Sequence, residues 1–213
     1  MAFSHDTSAG IDPTAPATGA APGLSGRVRG LLFNPKAEWQ QVARESTAPG
    51  RLFTGYVMPL AALAVLAASL RSWLATPVSA PGALVMIALT CSFALVGVCV
   101  VALIINSMAS FFRGVHSHGH ALKVATYAST PLWLSCVFIP FPSLSLPAQC
   151  LGGLYHTYLL YLGLRVLMKS PRDRALGYAT TVVLCSVVLG IVFTQVGAGL
   201  SQTIHLSPFR AFG

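Results

Sequence analysis

Between Arg51 and Arg210 the chain carries a single acidic residue, Asp173, and its remaining charges gather at the ends of long apolar stretches. Placing one charged side chain at the centre of a bilayer costs about 2.5–3.5 kcal/mol on insertion scales, so a segment this long and this poor in charge has lipid as its solvent. Composition agrees: 54% of residues are hydrophobic and 8% charged, against roughly a quarter charged in soluble domains. A spanning helix needs about 20 apolar residues, and the apolar stretches of these 213 residues predict an all-α polytopic bundle with five transmembrane helices. The expected spans are 56–74, 83–105, 121–139, 150–168 and 176–196. The third contains Pro131, which must kink it and leave a carbonyl that a neighbour such as Thr130 or Tyr127 has to satisfy.

Basic residues set the expected orientation. Eleven of the thirteen Lys and Arg fall before the first span or in the 107–123 and 165–174 regions, and only Arg71 and Arg210 fall on the other side. That asymmetry places the N-terminus in the cytoplasm and the C-terminus in the periplasm of a bacterial inner membrane. The basic residues form no single stripe on a soluble face, which argues against nucleic acid as a partner despite a formal charge of +8. The expected partners are the lipid bilayer, a protein on the cytoplasmic side and a second copy of the chain.

Four segments are expected. Residues 1–26 are rich in Ala, Pro, Gly, Ser and Thr, have little to bury, and read as disordered, with no apolar core of a cleavable signal. Residues 27–54 hold an amphipathic helix in which Asn34 suits the N-cap, Pro35 the first helical position, and Trp39 with Val42 an apolar stripe. This helix either lies in the headgroup region or packs on the ends of the spans. Residues 55–200 form the membrane domain, and 201–213 an external tail.

Little in the sequence suggests catalysis. No Asp or Glu falls within a span, no phosphate-binding glycine loop precedes a Lys, and the five cysteines show no CxxC pairing. Neither an enzyme activity nor a cofactor is expected. His116, His118 and His120 form HSHGH, whose alternating imidazoles can converge on a transition metal. No Cys, Asp or Glu completes a four-ligand set in that loop, and solvated loop histidines are the commoner case. These three remain the metal candidates. Tyr155 and Tyr158 share one face of the stretch 150–168, His156 is expected to bond a neighbouring helix, and Gly152, Gly153 and Gly163 allow close helix approach.

In order along the chain, NPKAEW with Pro35 and Trp39, YVMPLAAL with Tyr56 and Pro59, ALKVATYASTPLWL with Tyr127 and Pro131, and GGLYHTYLLYLGLRVLMKSPRDRALGY with Tyr155, Tyr158 and Gly163 resemble the bacterial branch of the Yip (Ypt/Rab-interacting-protein) membrane domain over about residues 28–200. The resemblance implies a five-span domain with a cytoplasmic N-terminus. It supplies no catalytic residues. The DLYGP-type segment of the trafficking relatives that bind Rab GTPases is missing, so that role does not transfer. A non-enzymatic protein that organises membrane or protein partners is the leading expectation. A small-solute or metal-ion transporter and an accessory subunit of an envelope complex are the rivals.

Overall fold

The computed structural model describes residues 23–46, 48–75 and 80–206. Residues 1–22, most of the segment expected to be disordered, and the last residues of the expected tail lie outside them. Among the described residues the order is α1 (Leu24–Phe33), α2 (Pro35–Arg44), α3 (Pro49–Leu52), a π-turn (Phe53–Val57), α4 (Met58–Ala75), α5 (Ala80–Met108), α6 (His118–Ala128), α7 (Thr130–Ser135), a 3-10 turn (Cys136–Phe138), α8 (Pro142–Val166) and α9 (Arg172–Leu206).

Three helical stretches are long and apolar enough to cross a membrane, Pro49–Arg71, Ile87–Met108 and Arg172–Leu200, so the expectation of five is corrected to three among the described residues. The reasons are local. Pro131 offers no N–H, and the stretch expected to form the third span divides at Ser129 into α6, α7 and a 3-10 turn, each far short of the bilayer thickness. The stretch expected to be the fourth belongs to α8, whose 25 residues are long enough but include Ser, Gln, His, Thr and two prolines. Hydropathy had averaged over breaks and polar positions that the backbone treats individually.

Helices α6–α7 and α8 form a hairpin packed against α4, α5 and α9. Its tip reaches the far end of α4, where Arg71 Nη1 donates to the Ile139 carbonyl at 3.3 Å. The carbonyl of Tyr127, left without a partner by Pro131, accepts from Thr130 Oγ1 at 2.6 Å, as expected of a tolerated proline break. Helices α7 and α8 approach closely at Gly152, where a Cβ would stand 2.9 Å from Ser135 Cβ and 3.0 Å from the Pro131 carbonyl oxygen.

A second irregularity precedes α4. Pro59 cannot donate to the Gly55 carbonyl, and the chain enters α4 through the π-turn Phe53–Val57, which leaves Tyr56 and Val57 both buried. By contrast α5 and α9 are apolar around their circumference and run 29 and 35 residues, about 44 and 52 Å at 1.5 Å per residue. Only 11% and 17% of their most apolar stretches are covered by protein, against 44% for the stretch through α4. Burial concentrates instead where α1 and α2 meet the hairpin and the near ends of α4, α5 and α9, around Leu31, Trp39, Ile105, Leu159, Leu160 and Tyr178.

Candidate functional site

Helices α1 and α2 lie on the bundle, and the chemistry that holds them there forms the most elaborate polar cluster among the described residues. Pro35 starts α2 at its first turn, but the side chain of Asn34 makes no cap hydrogen bond. Trp39 and Val42 sit one turn apart, so a single face of α2 is apolar, and both are fully buried together with Leu31 from α1. Each such side chain contributes roughly 1.5–3 kcal/mol by leaving water. Of the two placements open from the sequence, the packed one is found. Phe33 alone of the nearby large apolar residues is strongly exposed, at 81%.

The indole of Trp39 rests on Gly163 of α8. A Cβ at that glycine would lie 2.8 Å from Trp39 Cη2, 2.9 Å from Cζ2 and 3.1 Å from Cζ3, which explains why the position carries no side chain. One and two turns earlier on α8, Tyr158 is 40% exposed and Tyr155 turns its hydroxyl to the carbonyls of Leu31 and Leu32, at 3.1 and 2.8 Å. The two tyrosine rings lie 5.7 Å apart.

At the centre stands Arg27. Its guanidinium is 4% exposed and bonds Glu38 at 2.7 Å and Glu45 at 2.5 Å, so two of the chain's five acidic residues converge on one cation. It also lies 5.4 Å from the centre of the Tyr127 ring. Burial works against its charge, but the hydrogen bond to Glu45 and the fields of Tyr127, Glu45 and Glu38 outweigh it and raise its pKa. Lys123 of α6 donates to the Val42 carbonyl at 3.2 Å and to that of Glu45, capping the end of α2. Burial lowers its pKa, with Glu45 opposing and Arg27 assisting. Tyr127 meets Trp39 and Tyr56 edge to face, with centroids 6.4 and 4.8 Å away. Tyr56 in turn shares a 2.7 Å hydrogen bond with Thr130 at the proline break. A cleft of about 280 Å³ opens beside this cluster, bordered by Arg27, Glu45, Arg51, Tyr56 and Tyr127.

The residues singled out from the sequence thus divide. Trp39, Tyr56, Tyr127, Tyr155 and Gly163 meet in one cluster, with Pro131 buried at its edge and Pro35 at the start of α2. Pro59 and Tyr158 face outward. His116 and His118 are exposed, Ser117 caps α6 between them by accepting from the His120 N–H at 3.4 Å, and no three His, Cys, Asp or Glu among the described residues could hold a metal. His156 bonds the Ala128 carbonyl at 2.8 Å. Sequence reasoning passed over Arg27, Glu38, Glu45 and Lys123 as surface charges or topology signals. In a chain with five acids, two of them within seven residues and close to an Arg were the available clue.

Residues 29–194 match the Yip1 domain. The chain belongs to the Yip1-domain family. It is similar to the inner membrane protein YohC of Escherichia coli strain K12, with 27% identity over 196 residues that cover 87% of this chain and 98% of YohC. The same protein from E. coli O6:H1 matches equally. No solved structure matches. The chain is therefore a multi-pass membrane protein of the Yip1-domain family, similar over most of its length to a bacterial inner-membrane protein. The matched region contains Trp39, Gly163 and the other members of the cluster except Arg27, which lies two residues before it.

Proposed function

We propose that this Yip1-domain protein organises a protein partner at the cytoplasmic face of the inner membrane, using residues 27–54 as a presenting unit fixed to a membrane domain of residues 55–200. The observation that carries the reading is the docking of α1 and α2. Their inner face is consumed by Arg27, Trp39 and Leu31, while Arg29, Lys36, Gln40, Gln41 and Arg44 remain exposed on a rigid support. Although Thr126 Oγ1 and Asn106 Oδ1 are buried without a hydrogen-bond partner, three other polar side chains inside the bundle are spent on its own packing: Tyr56 on Thr130, His156 on Ala128, Tyr178 on Ile105. This favours a scaffold over a transport path, which would need such groups free to meet a solute.

The basic asymmetry supports a cytoplasmic N-terminus and a periplasmic C-terminus with three spans as well as it did with five, because an odd number separates the ends. Reporter fusions at residue 50 and in the 109–117 loop should read cytoplasmic, and a fusion after 206 external. A photo-crosslinking residue at Gln40 or Gln41 in living cells should give a discrete protein adduct, and lipid adducts alone would refute the presenting role. Cysteines introduced along α8 at 156, 159 and 160 should resist water-soluble thiol reagents. Labelling there would turn the choice to a transporter.

A further inference from the structure

The turns that follow α5 and α8 are joined. The Met168 carbonyl accepts from the Val115 N–H at 2.8 Å, and Ser170 Oγ donates to the Phe112 carbonyl at 3.0 Å. The two backbones approach so closely that a Cβ on Gly114 would meet the Met168 carbonyl oxygen at 3.1 Å. Inside this joint, flanked by those contacts, stand Arg113 and Lys169, the two non-glycine residues with positive φ among the described residues, at 53° and 52°. A left-handed conformation disfavours an ordinary side chain, and glycine is the common occupant after a helix. Here the strained positions, one on each of the joined turns, both carry exposed cations, and neither forms an ion pair among the described residues.

More charge lies close by in sequence. Arg172 and Arg174 open α9, and the nearest acid is Asp173, itself 69% exposed and 3.7 Å from Arg174. Arg165 is committed elsewhere, over the ring of Tyr161 at 5.5 Å. The ends of α5 and α8 account for some of this attraction, since helix C-termini favour cations. They do not account for the position of the joint, which falls where the membrane stretch Ile87–Met108 ends and Arg172–Leu200 begins. Phe111, 76% exposed, and Val115, 50% exposed, flank Arg113 with apolar surface suited to the acyl boundary.

We propose that the joined turns, residues 109–115 and 167–172, bind the phosphate of an anionic phospholipid headgroup, with Arg113 and Lys169 as its cationic ligands and Phe111 as its apolar anchor. The hydrogen bonds between the turns hold the two cation-bearing segments together before the lipid arrives, and the phosphodiester brings a negative charge to both. Surface basic residues contribute about 1 kcal/mol each toward anionic lipid, a factor of about 5, so losing both should weaken binding roughly 30-fold.

The test uses the full chain purified in neutral detergent, with its melting temperature followed as phosphatidylglycerol, phosphatidylcholine or inorganic phosphate is added. Phosphatidylglycerol should raise the melting temperature saturably, and phosphatidylcholine should not. The Arg113→Gly, Lys169→Gly double variant fits the left-handed backbone and should melt no lower than the parent without lipid, yet lose the phosphatidylglycerol response. Arg113→Gln with Lys169→Gln, which leaves a polar side chain at each position but no charge, should lose it equally. Lys36→Gln with Arg44→Gln removes the same charge elsewhere and should retain it. The site is overturned if the glycine or glutamine pair responds like the parent, if the control pair loses as much, or if phosphatidylcholine works as well. A full response to inorganic phosphate alone would overturn the lipid assignment.

Discussion

Replacing Gly163 by Ala tests the seat of α2 directly, because two effects of known sign oppose each other there. Alanine in a helix interior is favoured over glycine by about 0.8–1.0 kcal/mol. Its Cβ, however, would stand 2.8–3.1 Å from three ring atoms of Trp39, a side chain with no exposed surface through which to retreat. Overpacking of this kind costs about 1–3 kcal/mol, so the net effect is a destabilisation of about 0–2 kcal/mol. The atoms struck, Cη2, Cζ2 and Cζ3, are distal indole atoms that phenylalanine lacks. In a Trp39→Phe background the clash vanishes and the helix preference remains, so the same Gly163→Ala change should stabilise by about 1 kcal/mol. A double-mutant cycle on denaturant unfolding in detergent should therefore give a coupling of about 1–3 kcal/mol with a reversal of sign. Additive changes, or a Gly163→Ala that stabilises the parent, would refute the packing of Trp39 on this glycine.

Gly163→Leu should lower the melting temperature more than either tyrosine change, and Tyr155→Phe, which forfeits the bonds to Leu31 and Leu32, should cost about 1 kcal/mol while the exposed Tyr158→Phe stays within about 0.5. Thermal melts of the three variants check the order. Arg27→Met leaves Glu38 and Glu45, partly buried at 12% and 19% exposure, without their shared cation and should cost about 1–3 kcal/mol, read as faster proteolysis within residues 24–46, and protection equal to the parent would contradict the role given to Arg27. Zinc or nickel titration should show no site tighter than about micromolar that depends on His116, His118 and His120 together, since tight zinc sites gather four ligands and this loop has three.

The bilayer as solvent was legible from charge alone, and the helices beginning near Ile87 and Arg172 follow because no charge or proline interrupts 87–108 or 175–200. The segment from Ala121 to Ile139 reads equally apolar, yet Pro131 and the hydroxyls of Ser129 and Thr130 divide it, and a window average cannot register one missing N–H. At the site, Trp39, Tyr127, Tyr155 and Gly163 stood out as types with a packing purpose. Their mutual contacts did not, because Trp39 and Gly163 are neighbours only once α8 has folded back. Arg27 was harder still: a buried arginine and an exposed one are the same letter, and only the arrival of Glu38 and Glu45 from α2 and its end distinguishes them.

Burial of Trp39 and Leu31 on α8 also imposes a schedule. Tyr155 lies 124 residues downstream of the Leu31 carbonyl it holds, and synthesis at about 5–20 residues per second separates the two by roughly 6–25 s. For that interval α1 and α2 are made but have nowhere to dock, and their apolar stripe needs cover. The nearest cover is the surface of the bilayer into which α4 is being inserted. If the bilayer surface supplies that cover, the two placements that the sequence offered for α2 become successive addresses of one helix, first among the headgroups and later against the bundle.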